Sequence, residues 1–272
     1  MNNSRRAACY MLAGAAIGTL VFTRAATRNG AAALILRDRD RRASTRDILE
    51  PHVEGVSGTM SQLPSDDFLA EVVKALVARS GTIHGRFRDE ITRSYTGVRE
   101  TIVLQPGLSD AECSRVERIV ETKLPADFRK FLQYRLPTGT NFPNWRDDGD
   151  EALQAYVMAP VDALIDEVEL SGLWIESWGS RPQSLVEATG MARRKLMSAP
   201  RLLPIYGNRY MIAGSYNQSN PVLSIAGADI IYYGNDLADY LSHEFRVPRP
   251  VWAADAPLRI DPWDTLVKMN DG

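Results

Sequence analysis

Cysteine and histidine are nearly missing from this sequence, with Cys9, Cys113, His52, His84 and His243 the only ones in 272 residues. Two thiols cannot build a disulfide framework or a Cys-based metal site. The three histidines show no metal-ligand spacing. We therefore expect no metal and no cofactor. Cys113 falls in an apolar-striped helix, where a lone cysteine is a small core residue rather than a nucleophile. Lysine is scarce as well, five against 27 arginines, which we read as the base composition of a GC-rich bacterial genome. The net charge of -2 gives no reason to expect nucleic acid as a partner. No strand, glycine loop and helix unit that would cradle a phosphate is present, and Gly207-Asn208 and GADIIYYG read as turn chemistry. The acidic run Asp147, Asp148, Asp150 and Glu151 does not have the spacing of a calcium loop. The residues point to a protein that is not an enzyme.

The near-neutral total hides an asymmetry. Residues 1–46 hold nine arginines (Arg5, Arg6, Arg24, Arg28, Arg37, Arg39, Arg41, Arg42 and Arg46) against Asp38 and Asp40, a net +7 that leaves -9 for the remainder. Within this leader, residues 7–23 carry no charge and span about 26 Å if helical, slightly short for a membrane span. Three readings of it stand open. It is a membrane anchor with the body held in the cytoplasm by the arginines that follow, an export signal, or a translational extension with synthesis starting at Met60. A linker without amphipathic period closes residues 1–59.

Residues 60–105 read as a helical extension. Ser65 caps a helix whose stripe is Phe68, Leu69, Val72, Val73, Leu76 and Val77, and a second helix is expected over His84–Ser94. From 106 to 246 the pattern is clearer. Ser109 and Glu112 have capping-box spacing, and Leu124-Pro125 restarts the chain into a helix bearing Phe128, Phe131 and Leu132. A strand over Leu153–Met158 leads through Pro160 into a helix with Val161, Leu164, Ile165 and Val168. LLPIY, RYMIA, PVLSI and DIIYY then alternate as four short strands of a meander. Asn235 caps a closing helix ending at Phe245, and residues 247–272 form a proline- and tryptophan-bearing tail across the surface. The fold class is α+β, with short N-terminal helices, an antiparallel meander sheet of four to six strands and a closing C-terminal helix.

Several of these blocks resemble the SUKH superfamily, which includes a yeast cell-wall assembly regulator and many bacterial immunity proteins. LSDAECSRVERIVETK before LPADFRKFL is similar to that family's first block, QAYVMAPVDALIDEVE to its middle portion, and LLPIYGNRYMIAG, NPVLSI and DIIYYGNDLADYLSHEF to its closing strands and helix. The likeness covers Leu108–Phe245. It departs at PTGTNFPNWRDDGDE and at GLWIESWGSRPQS, an insertion, and both departures touch the partner-facing surface. The resemblance implies a protein that binds and occludes a cognate toxin, and the acidic body suits a basic partner. A membrane-tethered scaffold or regulator of the cell envelope is the alternative.

Trp174, Trp178, Tyr206, Asn208, Tyr216 and Asn220 are the candidate binding residues, because tryptophan and tyrosine bury large areas while keeping a polar handle. Tyr210 and Tyr232 are expected to face the core. The partner expected is a protein, with membrane association through residues 7–23 as the further possibility.

Overall fold

The computed structural model describes residues 63–88, 95–214 and 219–270, with residues 83–88 and 95–98 described as backbone only. The leader, the apolar run 7–23, Met60, His52 and Tyr216 lie outside these residues. Helix α1 (Asp66–Arg79) starts at Ser65, whose Oγ accepts from the Phe68 N–H at 3.2 Å, and buries Phe68, Leu69, Val72 and Leu76. Two strands, β1 (Ile83–Arg88) and β2 (Tyr95–Arg99), then pair antiparallel where a helix over His84–Ser94 was expected. The sequence IHGRFR and YTGVR explains the difference, since β-branched and aromatic residues interleaved with glycine favour a pleated ribbon over a helix. Strand β3 (Ile102–Pro106) pairs antiparallel with the later β4 (Arg135–Gly139).

Between them lie α2 (Asp110–Ile119) and α3 (Ala126–Tyr134). The capping box of α2 is complete. Ser109 Oγ accepts from Glu112 N–H at 3.3 Å, and Glu112 Oε2 accepts from Ser109 N–H at 2.7 Å. Helix α4 (Asp150–Leu170) is continuous through Pro160, so the strand expected over Leu153–Met158 is part of a helix. Leu153, Val157, Pro160, Val161, Leu164, Ile165 and Val168 are buried along it. That spacing has the helical period across the proline, which costs one backbone hydrogen bond without ending the helix.

A 3-10 turn at Glu176–Trp178 and helix α5 (Leu185–Met197) follow. Strands β5 (Leu202–Tyr206), β6 (Arg209–Ile212), β7 (Val222–Ala226) and β8 (Asp229–Gly234) form one antiparallel sheet in chain order, the four-strand meander read from the sequence. Helix α6 (Leu237–Phe245) is capped by Asp236 rather than Asn235, with the Asp236 carboxylate accepting from Asp239 N–H at 2.7 Å. Helix α7 (Trp263–Lys268) ends the described chain.

Alternate residues of the meander enter two separate cores, because successive side chains of a strand point to opposite faces. Leu203, Ile205, Met211 and Val222 join α1, α2, α3, α6 and the start of α4 in the first core. Leu202, Tyr210, Ile212, Leu223, Ile225 and Ile230 join the rest of α4, α5 and α7 in the second. The sheet is thus the middle of three layers. The tail does not lie across the surface as expected. Trp263 is 1% exposed inside the second core, and its indole donates to the Pro200 carbonyl at 3.0 Å. Trp252 packs edge-on against Phe68, with ring centroids 5.7 Å apart.

Candidate interaction surface

The sequence-predicted aromatic and amide residues do not gather on one surface. Trp178 and Tyr206 are buried in the second and first cores, and Asn220 is buried with its amide donating to the carbonyls of Ile212 at 2.7 Å and Gly214 at 3.1 Å. Each polar handle is satisfied inside the fold, which is why these residues are not on offer to a partner. Tyr210 is buried and Tyr232 half-buried, and the Tyr232 hydroxyl donates to Asp264 at 3.0 Å. Of the candidates described, Asn208 is exposed and Trp174 half-exposed.

Tyr206 belongs to an ionic cluster that sequence reasoning missed. Its hydroxyl donates to Glu100 Oε1 and accepts from Asn141 Nδ2 at 3.3 Å. Arg79 reaches Glu100 at 2.9 Å and Glu244 at 3.0 Å, and Arg209 lies 3.7 Å from the other Glu244 oxygen, with its guanidinium 3.8 Å from the Tyr233 ring centre. Burial first, then the bond to Glu100, pushes the Tyr206 phenol far above its ordinary range. Two arginines meet two glutamates, so the cluster is electrically closed. It fastens α1 to the sheet and to α6. Beside it the buried Tyr240 hydroxyl has no hydrogen-bond partner, among the described residues. Tyr240→Phe removes that unmet group and keeps the ring, so equilibrium denaturation should show a stability unchanged or raised by up to about 1 kcal/mol. A loss above that size would mean the hydroxyl is satisfied.

A second buried group lies where α3 meets α6. Burial, with the Asp236 carboxylate adding to it, pushes the Asp127 carboxyl up to about 7. Asp236 is raised as well by burial, while the N–H groups of Asp239 and Ala254 oppose the rise. Asp239 is held by Arg249 at 2.7 Å. No three or more His, Cys, Asp or Glu side chains are arranged to hold a metal ion, among the described residues. A shallow depression beside α2 is lined by Arg115, Arg118, Ile119, Asp150 and Gln154. Its Arg115 guanidinium is already committed to the carbonyls of Trp145, Arg146 and Asp148 and to Asp150. No helix among the described residues is long and apolar enough to cross a membrane.

The surface that does stand open is the tip where α4 ends and α5 begins. Asp162 of α4 pairs with Arg193 of α5 at 2.8 Å, and Arg181, just before α5, donates to the Val168 carbonyl at 3.1 Å. These contacts run in opposite directions along the two helices, so Leu170 and Leu185 sit at the same level. Leu170 is 79% exposed, Val186 81% and Leu185 46%, a concentration of large apolar side chains at one end of a helix pair. Isolated exposed leucines are common, but adjacent ones beside an aromatic ring mark interaction surfaces.

Trp174 completes the patch. Its ring stands edge-on to the buried Trp178, centroids 5.3 Å apart and planes at 89°, and its indole donates to the Gly179 carbonyl at 2.7 Å. Trp178 thereby anchors Trp174 in a fixed orientation, which lowers the entropy lost on binding. Gly172, at φ +76, turns the chain out of α4 and into this loop. Around the patch stand the exposed carboxylates of Asp166, Glu169, Glu176 and Glu187, none of them in an ion pair or side-chain hydrogen bond, with Arg181 as the local cation. An apolar centre inside an unpaired acidic rim selects for a basic, partly apolar surface.

Trp174 was legible from sequence, but Leu170, Leu185 and Val186 were not. They are distant in the chain, and α5 itself went unread although Ser184 and Glu187 have cap spacing and Ala188, Ala192 and Leu196 follow at helical intervals. Comparison with models of known protein families, with curated proteins and with solved structures gives no match to this chain.

Proposed function

We propose that this chain is a non-enzymatic protein-binding domain of immunity type, which seats a basic protein partner on the tip of α4 and α5 and occludes it sterically. The observation that carries the reading is the tip itself, with three exposed aliphatic side chains, a fixed tryptophan and four unpaired carboxylates. Full burial of such side chains stabilises a complex by roughly 1.5–3 kcal/mol each. The acidic rim adds steering toward a cationic enzyme, and that part weakens with salt. The SUKH likeness supports the same class of function. The tip includes GLWIESWGSRPQS, the stretch in which the sequence departs from that family's pattern, as a partner-specific surface would.

The test uses the full chain, purified, against cationic proteins encoded by neighbouring genes. We expect salt-sensitive binding to one of them, with loss of that protein's activity. The double variant Leu170→Asp, Val186→Asp should weaken binding about 30-fold or more, the size expected of central interface side chains. Its melting temperature should barely change, because both side chains are exposed. Binding that survives the double variant would place the interface elsewhere.

A further inference from the structure

We propose that residues 31–46 of the chain's own leader occupy the α4/α5 tip in cis, so that the tip is self-covered until a partner displaces them. This rests on reading the tip as a binding surface. The chemistry of the two matches segment by segment. Ala31-Ala32-Ala33-Leu34-Ile35-Leu36 is a short apolar run, and Arg37, Arg39, Arg41, Arg42 and Arg46 follow it against Asp38 and Asp40. The tip offers the complement, Leu170, Leu185, Val186 and Trp174 at its centre and Asp166, Glu169, Glu176 and Glu187 at its rim. The leader's other apolar run, residues 7–23, has no interspersed charge and does not fit an acid-rimmed patch.

Reach does not prevent the contact. Residues 47–62 separate this segment from Leu63, and sixteen residues extend to about 54 Å. A globule of about 200 residues has a radius of gyration near 17 Å and a diameter of about 45 Å. The tether therefore reaches past the body's full width. A flexible connection of this length holds the segment at an effective concentration of about millimolar, enough to cover the tip through modest contacts and yet yield to a tighter partner. The device makes the acidic rim serve twice, once for the chain's own arginines and once for the partner's cations.

The experiment compares the full chain with a full-length variant carrying Arg37→Ser, Arg39→Ser, Arg41→Ser, Arg42→Ser and Arg46→Ser. Exposed carboxylates are labelled with a carbodiimide and glycinamide and quantified by mass spectrometry, with Asp67 and Glu151 as references away from the tip. A contact populated about nine-tenths of the time gives about a tenfold rise in labelling at Asp166, Glu169, Glu176 and Glu187 when it is released. High salt should release it in the unsubstituted chain too. The reference residues should label alike in both chains.

Equal labelling of the four tip carboxylates in both chains overturns the proposal. If that happens while Leu170→Asp, Val186→Asp still abolishes partner binding, the leader contact fails and the tip remains the partner surface. If labelling rises but the double variant binds the partner unchanged, the leader contact stands and the partner docks elsewhere.

Discussion

Replacing Asp127 by asparagine should stabilise the protein by about 4 kcal/mol at pH 8 and by almost nothing at pH 4. The folded carboxyl titrates at about 7 against an ordinary value of 3.8, because it is buried and faces Asp236. A raised carboxylate pKa means that the folded state holds the proton more tightly than the unfolded chain. The contribution to stability is then fully present below about pH 4 and is lost as pH rises through about 7. Three pKa units correspond to roughly 4 kcal/mol. Asparagine keeps an oxygen for the Phe128 N–H, which donates to Asp127 at 2.8 Å, and carries no charge to bury. Urea denaturation of both proteins from pH 4 to 9 measures the difference. Removal of the Asp127 charge also relaxes Asp236, so the gap should grow across the neutral range rather than step at one pH. Parallel curves for the two proteins would show that Asp127 is not strained by its burial.

The second large effect is expected at Arg79. Its guanidinium bridges Glu100 and Glu244, whose side chains are 1% and 10% exposed, and donates to the Glu244 carbonyl at 2.7 Å. Arg79→Ala leaves two shielded carboxylates without their shared cation, and removing one partner of a buried pair costs about 3–5 kcal/mol. The pair itself need not be worth that much, since an apolar replacement of both sides escapes the desolvation penalty. The comparison with Arg79→Met, Glu100→Gln separates the two. The double variant should recover a substantial part of the loss. A single variant that loses under about 1 kcal/mol would mean that water compensates the glutamates freely. Because Arg79 also lies 5.2 Å from the Tyr206 ring centre and 5.3 Å from that of Phe245, part of the loss is packing.

Local chemistry was the legible part of this fold. The caps at Ser65 and Ser109 and the meander from Leu202 to Gly234 depend on neighbours within a few residues, and sequence shows those directly. Leu153–Met158 misled because an apolar residue every fourth position looks like a short strand until the continuation past Pro160 is counted. The aromatic residues misled for a different reason. A sheet with a core on each side has no polar face, so β5 is buried at every position and alternation cannot say which tyrosine meets solvent. Trp178 and Tyr206 went inside with it. The tip was invisible because it is made by the register of two helices, set by Asp162 with Arg193, and that register is a tertiary fact.

Pro160 divides α4 between the two cores, with Leu153 and Val157 in the first and Val161, Leu164, Ile165 and Val168 in the second. Pro160 also deprives the Tyr156 carbonyl of its helical donor. The rod therefore has a fault line where its two anchorages meet. Opening of the second core can fray α4 back to this point and no further, so the molecule is built from two cooperative units of unequal resilience. Whatever settles on the tip braces the far unit alone, and its grip is felt in the lifetime of that unit rather than in the stability of the whole.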